Sequence, residues 1–214
     1  VSPGRGAGLI DPLTLVAMAL ALFVLASINH LVAATLSLYE RALARERSLR
    51  VAGALLVAAT DRAHVYAATL DGAQELLRGA PGAAALVAVG SPRAGAAIVD
   101  TDDMEVVTAT GEHAAHAAGR AIHLKDVAES LRATLHAGDP VDLPRADAVT
   151  WQALDLEGAV GSLYAVPLHV RGALEGAIVV ATDAPLDAEL KDDLQTLGSL
   201  AALAVEDIVL IEQR

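Results

Sequence analysis

No side chain between Pro12 and Tyr39 carries a charge, and within that stretch Leu13–Leu36 is almost continuously apolar. Its 24 residues, at about 1.5 Å each, reach across a hydrocarbon layer of about 30 Å. The pattern predicts a transmembrane helix over 13–36, a tail over 1–12, and a juxtamembrane helical connector over 37–59. Ser27, Asn29 and His30 interrupt the run towards its C-terminal end, and Tyr39 takes an interfacial position. A buried helix of a soluble protein is the competing reading. A cleaved signal peptide fits less well, because the run is long and only Arg5 precedes it. Arg41, Arg45, Arg47 and Arg50 follow the span, so the positive-inside tendency puts the tail outside the cytoplasm and everything after Tyr39 within it. This describes a single-pass protein of the cell membrane.

The connector reads as a helix with a weak heptad signal, since Leu36 and Leu43 share a seam that Arg50 then occupies. Near Thr60 and Asp61 a capping residue restarts the pattern, and Tyr66, Leu70, Ala73 and Leu77 form one apolar helical face. Gly79 and Pro81 end it. The period then becomes extended. Ala84–Val89, Ala94–Asp100 and Met104–Thr110 read as three strands of an antiparallel meander, the last two separated by Thr-Asp-Asp. In the less regular stretch after Glu112, Asp126 and Glu129 form a capping-box pattern ahead of Val127, Leu131 and Leu135, closed by Gly138 and Pro140.

Residues 161–182 predict a hairpin turning at Arg171-Gly172. Tyr164, Val166, Leu168 and Val170 take one face, and Pro167 places its strand near an edge or a bulge. In the last helix Leu190, Leu194, Leu197, Ala201, Ala204, Ile208 and Ile211 step by 4 and 3 in a heptad row, with Leu200, Leu203 and Leu210 as a second stripe. One stripe can pack on a sheet and the other on a twin helix, so this row predicts a parallel homodimer.

Composition narrows the chemistry. The chain has 54% hydrophobic and 2% aromatic residues, so a globally disordered chain is excluded and its interior must be built from Ala, Val, Leu and Ile. Zero cysteines remove disulfides, thiol nucleophiles, zinc-thiolate sites, iron–sulfur clusters and thioether-linked bilins. From Thr101 to Arg214 there are 20 acidic and 7 basic side chains, a balance of −13 that argues against nucleic-acid binding.

The element order resembles a GAF domain. The most specific likeness is Ser162–Glu206 (SLYAVPLHVRGALEGAIVVATDAPLDAELKDDLQTLGSLAALAVE): a strand carrying V-P-L, a hydrophobic strand after L-x-G, an acidic N-cap and a long amphipathic helix. AGDPVDL, residues 137–143, is similar to the G-x-P-V segment that precedes this strand in many GAF domains, and the likeness covers residues 50–212. It implies an α+β fold over 60–212, with a central antiparallel sheet of five to six strands flanked by terminal helices. It also implies a ligand pocket on the far face of the sheet and a regulatory role. No cofactor follows: the cysteines of the bilin and methionine-sulfoxide reductase branches and the N-K-x-D/E motif of the cyclic-nucleotide branch are missing. The layout resembles sensor regions of actinobacterial membrane-anchored signalling proteins with cyclic-di-GMP enzymes downstream.

The candidate pocket residues are His113, His116, His123, Trp151 and Tyr164. His113 and His116, three apart beside Glu112, could share a helical face and hold haem or a metal, although solvated histidines are the commoner outcome. His136 falls in the same segment, while His169 reads as a surface residue and Trp151 as pocket wall or core filler. Asp100, Asp102, Asp103 and Glu105 read as a solvated acidic turn, since the closing bidentate Glu of a calcium loop is missing. Ser162 in GAVGSLYA lacks the spacing of a nucleophile elbow. These residues point to a non-catalytic, membrane-anchored sensor that binds an unidentified small ligand and relays it to a downstream output domain. A structural dimerisation spacer with a collapsed pocket and a histidine-dependent haem or metal sensor are the alternatives.

Overall fold

The computed structural model describes residues 12–92, 99–111, 113–114, 116–156, 158–159 and 161–212. The chain divides into two units, Val1–Ala44 and Arg45–Arg214. Helix α1 (Pro12–Ala58) is continuous across the expected span and connector. Among the described residues of the first unit it is the one element: from Leu20 to Leu36 every side chain is exposed, with Phe23 at 70% and Leu31 at 65%. Apart from Pro12, the expected tail lies outside the described residues.

The second unit is α+β. After α1 come α2 (Arg62–Leu76), β1 (Ala84–Pro92), β2 (Val99–Thr110), β3 (Ala121–His123), α3 (Glu129–Ala137), β4 (Val141–Leu143), α4 (Ala148–Ala153), β5 (Ser162–Val170), β6 (Ala173–Thr182) and α5 (Ala188–Glu212). The six strands form one antiparallel sheet in the order β3-β2-β1-β6-β5-β4. The β5–β6 hairpin turns where expected, with Arg171 (φ 53) and Gly172 (φ 79) both in the left-handed region that a tight two-residue turn requires. β4 covers only Leu163–Ala165 of β5, so Pro167 lies beyond the reach of an outer partner strand.

Two expectations fail here for physical reasons. Met104–Thr110 is not a separate strand, because Thr101–Asp103 lies inside β2, and a register shift opposite Gly90/Ser91 absorbs the extra residues. The rest of the expected middle strand, residues 94–98, lies outside the described residues. Nor does Asp126 cap α3. It ends a short 3-10 turn, Val127 folds inward, and Ala128 occupies the cap position without a side-chain hydrogen bond. The three-residue strands β3 and β4 and the six-residue α4 are too short to show a period in the sequence.

Both faces of the sheet are buried. Val87, Tyr164, Val166, Leu168, Ile178 and Val180 pack under α1, α2 and α5. Leu86, Met104, Leu163, Ala165, Ala177 and Val179 face the loops, α3 and α4. The helical layer is tight: a Cβ on Gly198 of α5 would lie 2.6 Å from Val166 Cγ1, and one on Gly72 of α2 3.0 Å from Ala52 Cβ. Within this unit α1 and α5 run the same way. Arg45 meets Asp187 and Glu189 at the start of α5, and Gly53 lies beside Leu200. α2 runs against them, with Arg62 bonded to Glu212 at the end of α5.

Candidate functional site

The far face holds the candidate site. Met104, Ile122, Leu124, Val127, Leu135 and Ala165, among others, enclose a cavity of about 30 Å³ between the sheet and α3. That is room for about one water molecule, against several hundred Å³ in a pocket for a drug-sized ligand. Among the described residues Thr150 is the only polar one in the lining, and its N–H donates to Asp147 Oδ1 at 2.8 Å. Among the described residues no buried side-chain nitrogen or oxygen lacks a partner. The described residues therefore present hydrocarbon to the cavity and no free hydrogen-bonding side chain.

The cover is thin. Of α3 only Leu135 is buried, with Leu131 packed partly against the cluster. Gly138 (φ 90) ends α3 in a left-handed cap, its N–H donating to the Leu135 carbonyl. α4 is better held: Asp147 accepts from Thr150, and the Thr150 hydrogen bonds lower its pKa. Near the cavity, Arg120 Nη1 reaches Asp155 Oδ1 at 3.0 Å and ties the loop after β2 to the loop after α4.

The candidate pocket residues do not converge. His113 is half-buried beside Gly158, and His116 is exposed. His123, exposed on β3, has Nδ1 2.5 Å from Asp103 Oδ1. None of the three lines the cavity, and among the described residues no group of three His, Cys, Asp or Glu side chains could hold a metal ion. Trp151 is 5% exposed and packs in the same apolar cluster, outside the cavity wall. Tyr164 belongs to the opposite face, as the alternation of β5 requires. Its hydroxyl accepts from Gln195 Nε2 at 2.7 Å, and Lys191 Nζ lies 5.9 Å from the ring centroid while also bonding Asp142 at 2.6 Å. Burial raises its pKa against the opposing pull of Gln195 and Lys191.

The polar choices missed the wall because a dry cavity carries no polar signature. The usable signal was the apolar spacing Val127, Leu131, Leu135. Asp103 and Glu105 lie in β2 rather than in a turn, while the side chains of Asp100 and Asp102 lie outside the description. Ser162 Oγ donates to the Ala184 carbonyl and lies 2.9 Å from Thr182 Oγ1, a buried structural pairing.

The heptad row of α5 is largely spent inside the chain. Leu190, Leu194, Leu197, Ala201 and Ile208 are at most 6% exposed, Ala204 is half-buried, and only Ile211 at 72% stays open. A 4-and-3 row packs as well on a sheet as on a twin helix, and here the chain's own sheet takes it. What remains outward is the second stripe, Leu203 (59%) and Leu210 (43%), and on α1 Val51 (60%) and Leu55 (50%). Among the described residues α5 is the one helix long and apolar enough to cross a membrane, with 44% of its apolar window buried in the fold, while Leu20–Leu36 is a shorter apolar stretch.

No family model matches the sequence, and no curated protein matches it. Solved structures do resemble the fold. The second GAF-type domain, GAF-B, of DevS from Mycobacterium smegmatis aligns with TM-score 0.53 and 22% identity over 72% of this chain and 98% of that one. The phycocyanobilin-bound GAF domain of a cyanobacterial phytochrome gives 0.62 and 14% over 79% and 98%. The chromophore-binding domain of the bacteriophytochrome RpBphP3 from R. palustris gives 0.62 and 10%, and this chain, 77% of which aligns, spans 62% of its length. The second unit thus has a GAF-like fold.

Proposed function

We propose that the chain is a non-catalytic, GAF-type regulatory module of a membrane-anchored signalling protein, acting as a parallel dimer. The observation that supports this is the apolar side chains left exposed on two helices that run in the same direction. Val51 and Leu55 of α1 and Leu203 and Leu210 of α5 stay exposed after the sheet has been covered. A soluble domain leaves such side chains open at a cost in solubility unless a partner covers them. The all-round exposure of apolar side chains over Leu20–Leu36 supports a membrane span, and the arginines after it support a cytoplasmic second unit. Ligand binding on the far face would bias the pairing of α5, and an output domain, a cyclic-di-GMP enzyme among the candidates, would receive the change.

The experiment uses the absence of native cysteine: Leu203→Cys places a single thiol in the chain. In membranes from cells making the full chain, mild oxidation should yield a covalent dimer. A monomer throughout, or a chain that carbonate washes from the membrane, would overturn the reading.

A second reading is favoured by one observation. A cavity of about 30 Å³ is what a structural spacer with a filled pocket would show. It predicts the same cross-link and no ligand. For the haem or metal alternative, none of the three histidines lines the cavity, and among the described residues no group of three His, Cys, Asp or Glu side chains could hold a metal ion.

A further inference from the structure

We infer that the far-face cavity is a binding site for a small uncharged apolar molecule, a hydrocarbon ring or short chain, admitted by displacement of α3. The inference rests on the regulatory reading and names its ligand class.

Three observations carry it. First, among the described residues the wall is hydrocarbon except for Thr150, whose backbone N–H is already bonded to Asp147, and none of them contributes a charged side chain to it. No buried side-chain polar atom among the described residues is left without a partner. A polar or ionised ligand would give up its water and find nothing to replace it, which desolvation makes unfavourable. An anionic tetrapyrrole such as the one bound by the phytochrome relative has no counter-charge here.

Second, the space is small but its walls can move. Met104, fully buried on β2, has an unbranched side chain that can take up new rotamers. Ala88, Ala165 and Ala177 form a floor without bulk. Third, the cover is the weakest helix of the unit. α3 has nine residues, an N-terminal cap without a side-chain bond, an ion pair within its own first turn between Arg132 and Glu129, and a single fully buried side chain. Lifting Leu131 and Leu135 joins the cavity to the space they leave and exposes the sheet without disturbing the helical face. Segments with few buried contacts open first.

The test is methyl NMR of the full chain in nanodiscs, with benzene as the apolar probe and benzoate as its charged match. Benzene should move the methyl signals of Met104, Ile122 and Leu135 saturably, and benzoate should leave them in place. Leu135→Ala, which removes the main roof side chain, should bind benzene several-fold more tightly. No saturable shift in the unmodified chain would overturn the inference, and binding in Leu135→Ala alone would do so too, because it would show a roof that does not open. An equal response to benzoate would overturn the ligand class. The cross-linking result is independent of all three outcomes: a dimer that ignores benzene leaves a spacer, while benzene binding in a strict monomer leaves a binding domain without the relay.

Discussion

The two faces of the sheet are built from the same alanine, valine and leucine, yet they are held in different ways. On the helical face three helices of 15 residues or more interlock through glycines and are pinned at their ends by Arg45 and Arg62. On the far face two short helices and several loops lie over a small void. The difference teaches where the chain resists and where it yields. Long helices bury whole rows, so no part can move alone, whereas a nine-residue helix with one buried side chain can.

The sharpest way to break this contrast is a pair of truncations. Leu194 of α5 is completely buried, and Leu194→Ala should cost about 2–5 kcal/mol in chemical unfolding. Leu131→Ala, on the partly exposed roof, should cost about 1 kcal/mol. Equal losses would show that the faces are equally firm.

Next in size is a pH effect confined to the helical face. Tyr66, 6% exposed on α2, has its phenol pushed up from 10.0 to about 12 by burial, with Arg62 opposing and Glu175 and Glu212 adding to the rise. The folded chain holds the neutral phenol after the unfolded chain has ionised. The stabilisation is therefore complete below pH 10 and lost as pH climbs towards 12, by about 2–3 kcal/mol at most. Urea unfolding followed from pH 9 to 12 should show this slope, and Tyr66→Phe should flatten it.

The smallest effect concerns Asp187. Burial alone would raise its pKa, but the Leu190 N–H and the Arg45 guanidinium outweigh it and hold the carboxyl below 3.8. Its contribution is present above the unfolded pKa and fades as pH falls through the lowered folded value. Asp187→Asn should make unfolding between pH 5 and 3 less acid-sensitive by a small but measurable margin, since the pair is exposed and salt-screened.

How far the sequence revealed the fold follows from length and polarity. α2, β1, the β5–β6 hairpin and α5 were legible because each repeats its period several times. β3, β4 and α4 were not, since three to six residues hold no period. The alternation of Tyr164 with Val166 already placed its side chain on the face of Val166, and the structure finds both under the helices. Treating it as a pocket residue weighed its chemistry above its register. The candidate site was the least legible part, because histidines and a tryptophan draw attention while a wall of Met104, Ile122 and Val127 looks like ordinary core.

α1 and α5 lie side by side and point the same way, so the main chain leaves this unit travelling in the direction in which it came. A block with that property can be spliced into a continuous rod without turning it round. Copies could be strung in series, each entered at Arg45 and left at Glu212 along parallel, laterally offset helices.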